Sequence, residues 1–95
     1  MERFLQIVQV FPLQERQYTD RNGQQQTFAS RGFVLTDGID HMYAEAQGEY
    51  ARSIKDTQFD TSFMHRVQMQ MVARNYQDKD GAKRYSNEIR IVKIV

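Results

Sequence analysis

The sequence predicts an all-β protein, a small barrel of five strands with one short helix between the third and fourth strands. Three observations support this fold class. Apolar residues alternate with polar ones along much of the chain, which is the period of a half-buried strand. Turn signals that contain glycine separate these runs, as in Asp78-Lys79-Asp80-Gly81. A helical spacing occurs once, over residues 48–54, and a length of 95 residues predicts one domain, residues 1–95.

The first predicted strand covers Phe4–Leu13 and continues to about Tyr18, because the next turn signal is Asp20–Gly23. Pro12 is the only proline, and it predicts a bulge, an edge or a strand end inside this segment. A tyrosine stands two residues before the Asp20–Gly23 turn, just as Tyr76 stands two residues before the C-terminal turn. We therefore expect the same type of turn at both places.

The second predicted strand is Gln26–Thr36. Its large apolar residues, Phe28, Phe33 and Leu35, change parity across Gly32. This change predicts a β-bulge or a bend at the glycine, which a small barrel needs in order to close.

A third strand and the helix follow. The strand is Asp40–Gln47, and a short helix over residues 48–54 would place Tyr50 and Ile54 one turn apart on its inner side. The polar segment Lys55–Thr61 is predicted to be a loop.

The C-terminal hairpin consists of a fourth strand, Phe63–Tyr76, and a fifth strand, Arg84–Val95. Asp78 occupies the first position of its turn and Gly81 the fourth, where a positive φ suits glycine. The outward face of the fourth strand would present Arg66, Gln68, Gln70, Val72, Arg74 and Tyr76.

This hairpin resembles the last two strands of bacterial single-stranded DNA-binding proteins, a family of OB-fold proteins. The matching positions share one register and are Arg74, Tyr76, Asp78, Gly81, Arg84, Tyr85, Glu88 and Ile89. The unit of strand, glycine and short helix at residues 40–54 is similar to the family's third strand and barrel-plugging helix. The resemblance implies a five-stranded OB-fold, a Greek-key barrel, in a compact variant without the family's acidic partner-recruiting tail.

Single-stranded DNA binding needs aromatic faces for the bases and spaced cations for the backbone. In the family the aromatic residue before the last turn stacks on a base, which gives this role to Tyr76, and we expect Tyr43 on an adjacent outward face. The candidate nucleic-acid-binding residues are Tyr43, Arg66, Arg74, Tyr76, Lys79, Lys83 and Arg84, with Tyr18 and Tyr85 as further candidates. Tyrosines are also common as half-buried strand residues, and for Tyr18 and Tyr85 both interpretations stay open.

The charge is unevenly distributed. Residues 63–95 hold 7 Lys/Arg against 3 Asp/Glu, a net charge of +4, whereas residues 1–62 hold 6 against 9, a net charge of −3. A cationic C-terminal third suits a polyanionic partner, although a solvated strand face has the same composition. Glu45 departs from the family's pattern on the third strand, because a carboxylate there repels phosphates.

Several functional classes find no support in the composition. The chain has no cysteine, which excludes disulfides and fits a reducing cytoplasm, and no apolar run approaches the roughly 20 residues of a membrane span. His41 and His65 are predicted to be surface or hydrogen-bonded histidines rather than metal ligands. No catalytic constellation or phosphate loop is present, so we expect neither an enzyme nor a cofactor.

Two functional hypotheses remain. The first is sequence-nonspecific binding of single-stranded DNA in replication, repair, recombination or mobile-element transfer. The second is an OB-fold protein-interaction module of a replication complex, similar to primosomal accessory proteins, which Glu45 and the near-neutral charge favour. Open strand edges predict a homo-oligomer, a dimer or a tetramer, with replication proteins as further partners. A monomeric mass in light scattering at micromolar concentration would contradict this oligomer.

Overall fold

The computed structural model describes all 95 residues and shows an all-β chain with 63% of its residues in strands. The elements, in chain order, are β1 (Glu2–Val10), β2 (Gln14–Thr19), β3 (Gln25–Thr36), β4 (His41–Gln47), α1 (Gly48–Ser53), β5 (Met64–Gln77) and β6 (Lys83–Ile94). The third, fourth and fifth predicted strands and the helix are found within one or two residues of their predicted bounds. The helix has six residues, too few to cross a bilayer.

The six strands form one sheet in the order β1-β5-β6-β4-β3-β2, and β1 also pairs with β3. The hydrogen-bonded pairs therefore form a ring of five strands, β1-β5-β6-β4-β3, with β2 attached outside it. All pairs are antiparallel except β4 with β6, which are parallel and share two residue pairs, Glu45 with Arg90 and Ala46 with Ile91.

Six strands replace the five predicted because the first predicted strand is broken at Pro12. β1 ends at Val10 and β2 begins at Gln14, so the proline lies in the connection, as a residue without an N–H group requires. Both pieces still pair with β3, β1 with its C-terminal half and β2 with its N-terminal half. Together, β1 and β2 therefore act as one bent antiparallel partner strand of β3 within the same sheet.

Of the two alternatives predicted at Gly32, the bulge is wrong, and the bend stays a prediction. β3 pairs with β4 without interruption through this residue, whereas the register shift against β1 leaves Val8 as the extra residue. A second shift, between β5 and β6, leaves Val92 extra. The parity of β3 is constant instead: Phe33 is buried in the core, and Phe28 is on the opposite, outer face with more than a third of its surface exposed.

The hydrophobic core fills the inside of the ring. Its largest fully buried side chains are Phe33, Leu5, Ile7, Leu35 and Val67. The helix packs against β3 and β4. Ala51, and Ile54 directly after the helix, belong to this core, and the Tyr50 hydroxyl accepts a hydrogen bond from the Ile94 N–H at 2.7 Å. The predicted inward orientation of Tyr50 and Ile54 is thus confirmed.

Arg31 projects from the core side of β3 and joins this strand to the β1–β2 connection and to the turn that follows α1. Its guanidinium donates to the carbonyl oxygens of Phe11 at 3.0 Å, Thr57 at 2.9 Å and Ile54. The same guanidinium lies 5.9 Å from the ring centre of Phe33. No carboxylate pairs with it, so carbonyl oxygens and aromatic faces alone compensate its charge.

Two hairpin arms extend beyond the ring, because their strands pair only with each other. The first arm is residues 14–29, from β2 and β3, and the second arm is residues 71–89, from β5 and β6. Their tips have the same geometry. Asp20 Oδ1 accepts from the N–H groups two and four residues later, both at 2.9 Å, and Asp78 Oδ1 accepts the corresponding pair at 3.0 and 2.9 Å. Gly23 and Gly81 have φ of +78° and +79°, which confirms the repeated turn.

The turn aspartates predict a response to acid. The hydrogen bond from the Gln24 N–H lowers the pKa of Asp20 from the ordinary 3.8, and those from Arg84 and then the Ala82 N–H lower the pKa of Asp78. A lowered folded-state pKa stabilises the turns above pH 3.8, and this stabilisation is lost as the pH falls through the lowered value. We expect carboxyl carbon resonances of both residues to titrate with midpoints below 3.8. A midpoint at or above that value at either turn would contradict the geometry.

Candidate nucleic-acid interface

The outer face of the ring continues onto the first arm. Cross-strand partners share a face, so the pairs Arg16–Phe28 and Tyr18–Gln26 lie on the same side of the sheet as Gly32. β4 adds Tyr43, which pairs with Val34, to the same face. The core is on the other side of these strands.

Exposed aromatic side chains follow this outer face. Tyr18 is near the tip of the first arm and is 51% exposed, Phe28 lies across from Arg16, and Tyr43 is 56% exposed on β4. Exposed aromatic faces of this kind are platforms on which unpaired bases stack.

The Tyr43 ring is held in place from two sides. A Cβ atom on Gly32 would lie 2.5 Å from Tyr43 Oη and 3.0 Å from two ring carbons, so only glycine leaves room for the ring. The Phe11 ring is 6.2 Å away, centre to centre, and tilted by 58°. Tyr43 Oη donates a hydrogen bond to Glu45 at 3.3 Å. Burial, followed by the Glu45 charge, raises the pKa of Tyr43, so the hydroxyl stays protonated.

A cleft of about 180 Å³ opens beside this ring. Its lining includes Phe11 and Pro12, from the connection between β1 and β2, and Tyr43 and Glu45, from β4. The remaining lining residues are Gln14, Ser30 and Gly32.

The second arm carries its two tyrosines on opposite faces. Tyr76 pairs with Arg84, and the neighbouring position Asn75 pairs with Tyr85, so adjacent positions of β5 separate the two rings. Tyr76 is on the same outer side as Arg74 and is 51% exposed, whereas Tyr85 is on the core-side face beyond the end of the core and is 70% exposed. The Tyr85 side chain therefore does not pack into the hydrophobic core.

Tyr43 and Tyr76 are not on neighbouring strands. β6 lies between β4 and β5. The last residue of β5 that is linked to β4 through β6 is Gln70, because its partner Arg90 also pairs with β4. Tyr76 is six residues beyond Gln70, about 20 Å along an extended strand. The two rings therefore share the outer face but lie on strands separated by β6, so the prediction that they lie on adjacent outward faces is wrong.

Carboxylates already hold three of the predicted cations. Arg74 Nε is 2.6 Å from Glu88, Arg84 Nε is 3.0 Å from Asp78, and Arg66 Nε is 3.7 Å from Glu2. Lys79 and Lys83, at the tip of the second arm, form no ion pair. Arg16 and Arg21 on the first arm are also free of ion pairs.

Glu88 lies at the junction of three strands on the outer face. Besides Arg74, it accepts hydrogen bonds from Arg90 at 3.3 Å and from the Gln47 amide at 3.0 Å. Burial opposes its ionisation, but Arg74 and these donors outweigh the burial and lower its pKa. Glu88 thus stays charged and holds Arg74 against the protein surface.

Arg66 lies apart from the other candidates. It is eight residues from Arg74, about 26 Å along β5, and its cross-strand partner is Phe4 of β1. His65 is buried, with Nε2 at 2.7 Å from the Asp60 carbonyl oxygen and its ring stacked on Phe63 at 4.5 Å. It is a hydrogen-bonded core histidine, as predicted.

Several residues of this face are not predicted from the sequence. Phe28 is not among the predicted binding residues, because the sequence-based prediction explains its difference in parity from Phe33 by a bulge or a bend at Gly32. The same parity difference was the available signal that Phe28 points outward. Placing Phe11 and Arg16 on this face requires the register of β2 against β3. The Asp20–Gly23 turn predicts that register only when β2 is recognised as a separate strand.

No protein-family model matches the chain, and the comparison with curated proteins found no match. The function is therefore inferred from the chemistry and geometry of the outer face.

Proposed function

We propose that this protein binds single-stranded DNA without strong sequence preference, along the outer face from the tip of the first arm to that of the second. The observation that carries the proposal is the set of exposed aromatic rings on one face, formed by Tyr18, Phe28, Tyr43 and Tyr76. Each ring that stacks on a base contributes about 1–3 kcal/mol, so a few rings suffice without a strongly basic surface.

The free cations support the same path. Arg16 and Arg21 are on the first arm, and Lys79 and Lys83 are at the tip of the second, so each end of the aromatic row has two cations available for phosphates. Arg74 and Arg84 would join them by exchanging a carboxylate for a phosphate. Four phosphate contacts correspond to a slope of about −3 in log K against log salt for a single strand.

We also propose that the ring is an OB-fold barrel and that the chain is a compact relative of the bacterial single-stranded DNA-binding proteins. If β1 and β2 are two halves of one strand broken at Pro12, five strands remain, with the helix between the third and fourth. In OB-folds, oligonucleotides bind on strands 2 and 3 and the loops 1–2 and 4–5, which here are β3, β4 and the two arm tips.

A second candidate function, a protein-interaction module, is favoured by a different surface. Phe4 and Met64 are exposed on the outer side of β1 and β5, away from the aromatic row, and Phe4 is 66% exposed. Apolar residues exposed together suit a protein contact. The same surface would serve the homo-oligomer, which the light-scattering mass tests.

The proposed function predicts that the two tyrosines of the second arm differ in importance. We expect Tyr76→Ala to weaken binding to a labelled oligo-dT of about 30 nucleotides by roughly fivefold or more, because it removes one stacking platform. Tyr85→Ala is the matched control: it removes the same side chain from the opposite face of the same arm and should change the affinity by less than about twofold. Fluorescence anisotropy at low and moderate salt measures both.

Saturable binding that weakens with salt, and depends on Tyr76 but not on Tyr85, would establish the proposed function. Equal losses in the two variants would remove the outer face as the binding surface. If folded wild-type protein does not bind at low salt, single-stranded DNA is not its main ligand, and the surface around Phe4 becomes the site to test.

A further inference from the structure

The cleft beside Tyr43 has the dimensions of one aromatic ring. Its volume is about 180 Å³, close to the roughly 150 Å³ cavity that holds one benzene molecule in another protein, and below the 300–1,000 Å³ of pockets for drug-sized ligands. Phe11 and Tyr43 supply aromatic surface to its lining, and the Tyr43 ring is fixed over the Gly32 backbone. A planar group the size of a pyrimidine fits this space.

The polar side chains of the cleft have few partners within the protein. Glu45 is a half-buried carboxylate that takes part in no ion pair, and only Tyr43 Oη donates to it. Its cross-strand partner Arg90 directs its guanidinium to Glu88 instead. The Gln14 and Ser30 side chains form no hydrogen bond within the protein.

This pattern selects among the bases. A carboxylate accepts hydrogen bonds and donates none, so it favours a base with an exocyclic amino group, as in the contact of Glu with cytosine N4. Gln14 and Ser30 can donate to the ring acceptors of the same base. Thymine would place a carbonyl oxygen where cytosine has its amino group, and this oxygen would face the Glu45 carboxylate.

We propose that the cleft holds one cytosine of a bound strand, with Glu45 accepting a hydrogen bond from its amino group and Gln14 and Ser30 donating to its ring acceptors. This inference rests on the proposed function, to which it adds a preference at one nucleotide position. Glu45, which a purely electrostatic interpretation treats as an obstacle to DNA, becomes a residue that determines specificity.

The test compares labelled oligo-dC with oligo-dT of equal length by fluorescence anisotropy, at slightly alkaline pH where both stay single-stranded. We expect wild-type protein to bind oligo-dC about five- to tenfold more tightly. Glu45→Gln should bring the ratio of the two affinities close to one, because an amide can both donate and accept. Glu49→Gln, on the fully exposed side of the helix, makes the same charge change outside the cleft and should leave the ratio as in the wild type.

The ratio of the oligo-dC affinity to the oligo-dT affinity tests this inference separately from the proposed function. Equal and saturable binding of both oligonucleotides by the wild type would overturn the cytosine assignment and leave DNA binding intact. A cytosine preference that persists in Glu45→Gln would also overturn it, since the selectivity would arise elsewhere. Absence of binding to either oligonucleotide would remove the proposed function and the inference together.

Discussion

Replacing Arg31 by methionine is expected to lower the free energy of unfolding by about 2–4 kcal/mol, the largest change in stability that we predict for a polar residue of this chain. Methionine keeps most of the apolar stem but removes the donor of the Phe11 and Thr57 carbonyl oxygens, whereas the Ile54 oxygen keeps its hydrogen bond from the Thr57 N–H. A buried acceptor without a partner costs about 1–3 kcal/mol, and partial access of water reduces the sum. Urea denaturation followed by circular dichroism measures the difference.

Arg16→Met is the matched control for this experiment. Arg16 is on the exposed strand β2 and forms no ion pair, so we expect its replacement to change the unfolding free energy by no more than about 0.5 kcal/mol. If Arg31→Met costs less than about 1 kcal/mol, the carbonyl oxygens of Phe11 and Thr57 are satisfied by water and Arg31 does not join the segments around it.

Removing the Tyr43 ring is expected to cause the largest loss of DNA affinity among single substitutions on the outer face. Tyr43→Ala should weaken oligo-dT binding by roughly tenfold or more, toward the upper part of the 1–3 kcal/mol range for a stacked base. The reason is that Gly32 and Phe11 already hold this ring, so little side-chain entropy is lost when a base stacks on it. Anisotropy titration and a thermal unfolding control measure the two effects separately.

Gly32→Ala tests the same ring without altering Tyr43. The added methyl group would occupy the place of the phenol ring, and the backbone at Gly32 does not have a positive φ, so alanine fits the strand itself. We therefore expect a folded protein with most of the Tyr43→Ala defect. Wild-type affinity in Gly32→Ala, with the fold retained, would show that the position of the ring does not matter for binding.

Local patterns predicted much of this fold correctly. The Asp-x-x-Gly turns, the alternation of Met42, Ala44 and Ala46, and the helix at residues 48–54 all depend on interactions between near neighbours in sequence. The extra residues Val8 and Val92 could not be predicted in this way, because a bulge arises from the register against a partner strand, and neither residue type marks one.

The candidate site was less predictable than the fold, for a related physical reason. A tyrosine can be assigned to a face from parity, but the separation of Tyr43 from Tyr76 depends on β6 being inserted between their strands. The pairing of Arg74 with Glu88 depends on side-chain geometry across two strands. The sequence therefore identifies residue types suited to a nucleic acid. The cleft lined by Phe11 and Tyr43 cannot be predicted in this way, because it depends on the path of the β1–β2 connection in the folded chain.

The parallel contact of β4 with β6 has a mechanical consequence. It consists of two residue pairs, whereas β5 and β6 share eleven, so it is the shortest seam in the ring. The two arms are attached on opposite sides of this seam, the first through β3 and β4 and the second through β5 and β6. Because local opening starts where the fewest pairs hold the strands together, we expect the amide hydrogens of this seam to exchange faster than those of β5. A single-stranded DNA bound across both arms would hold β4 and β6 together and slow that exchange.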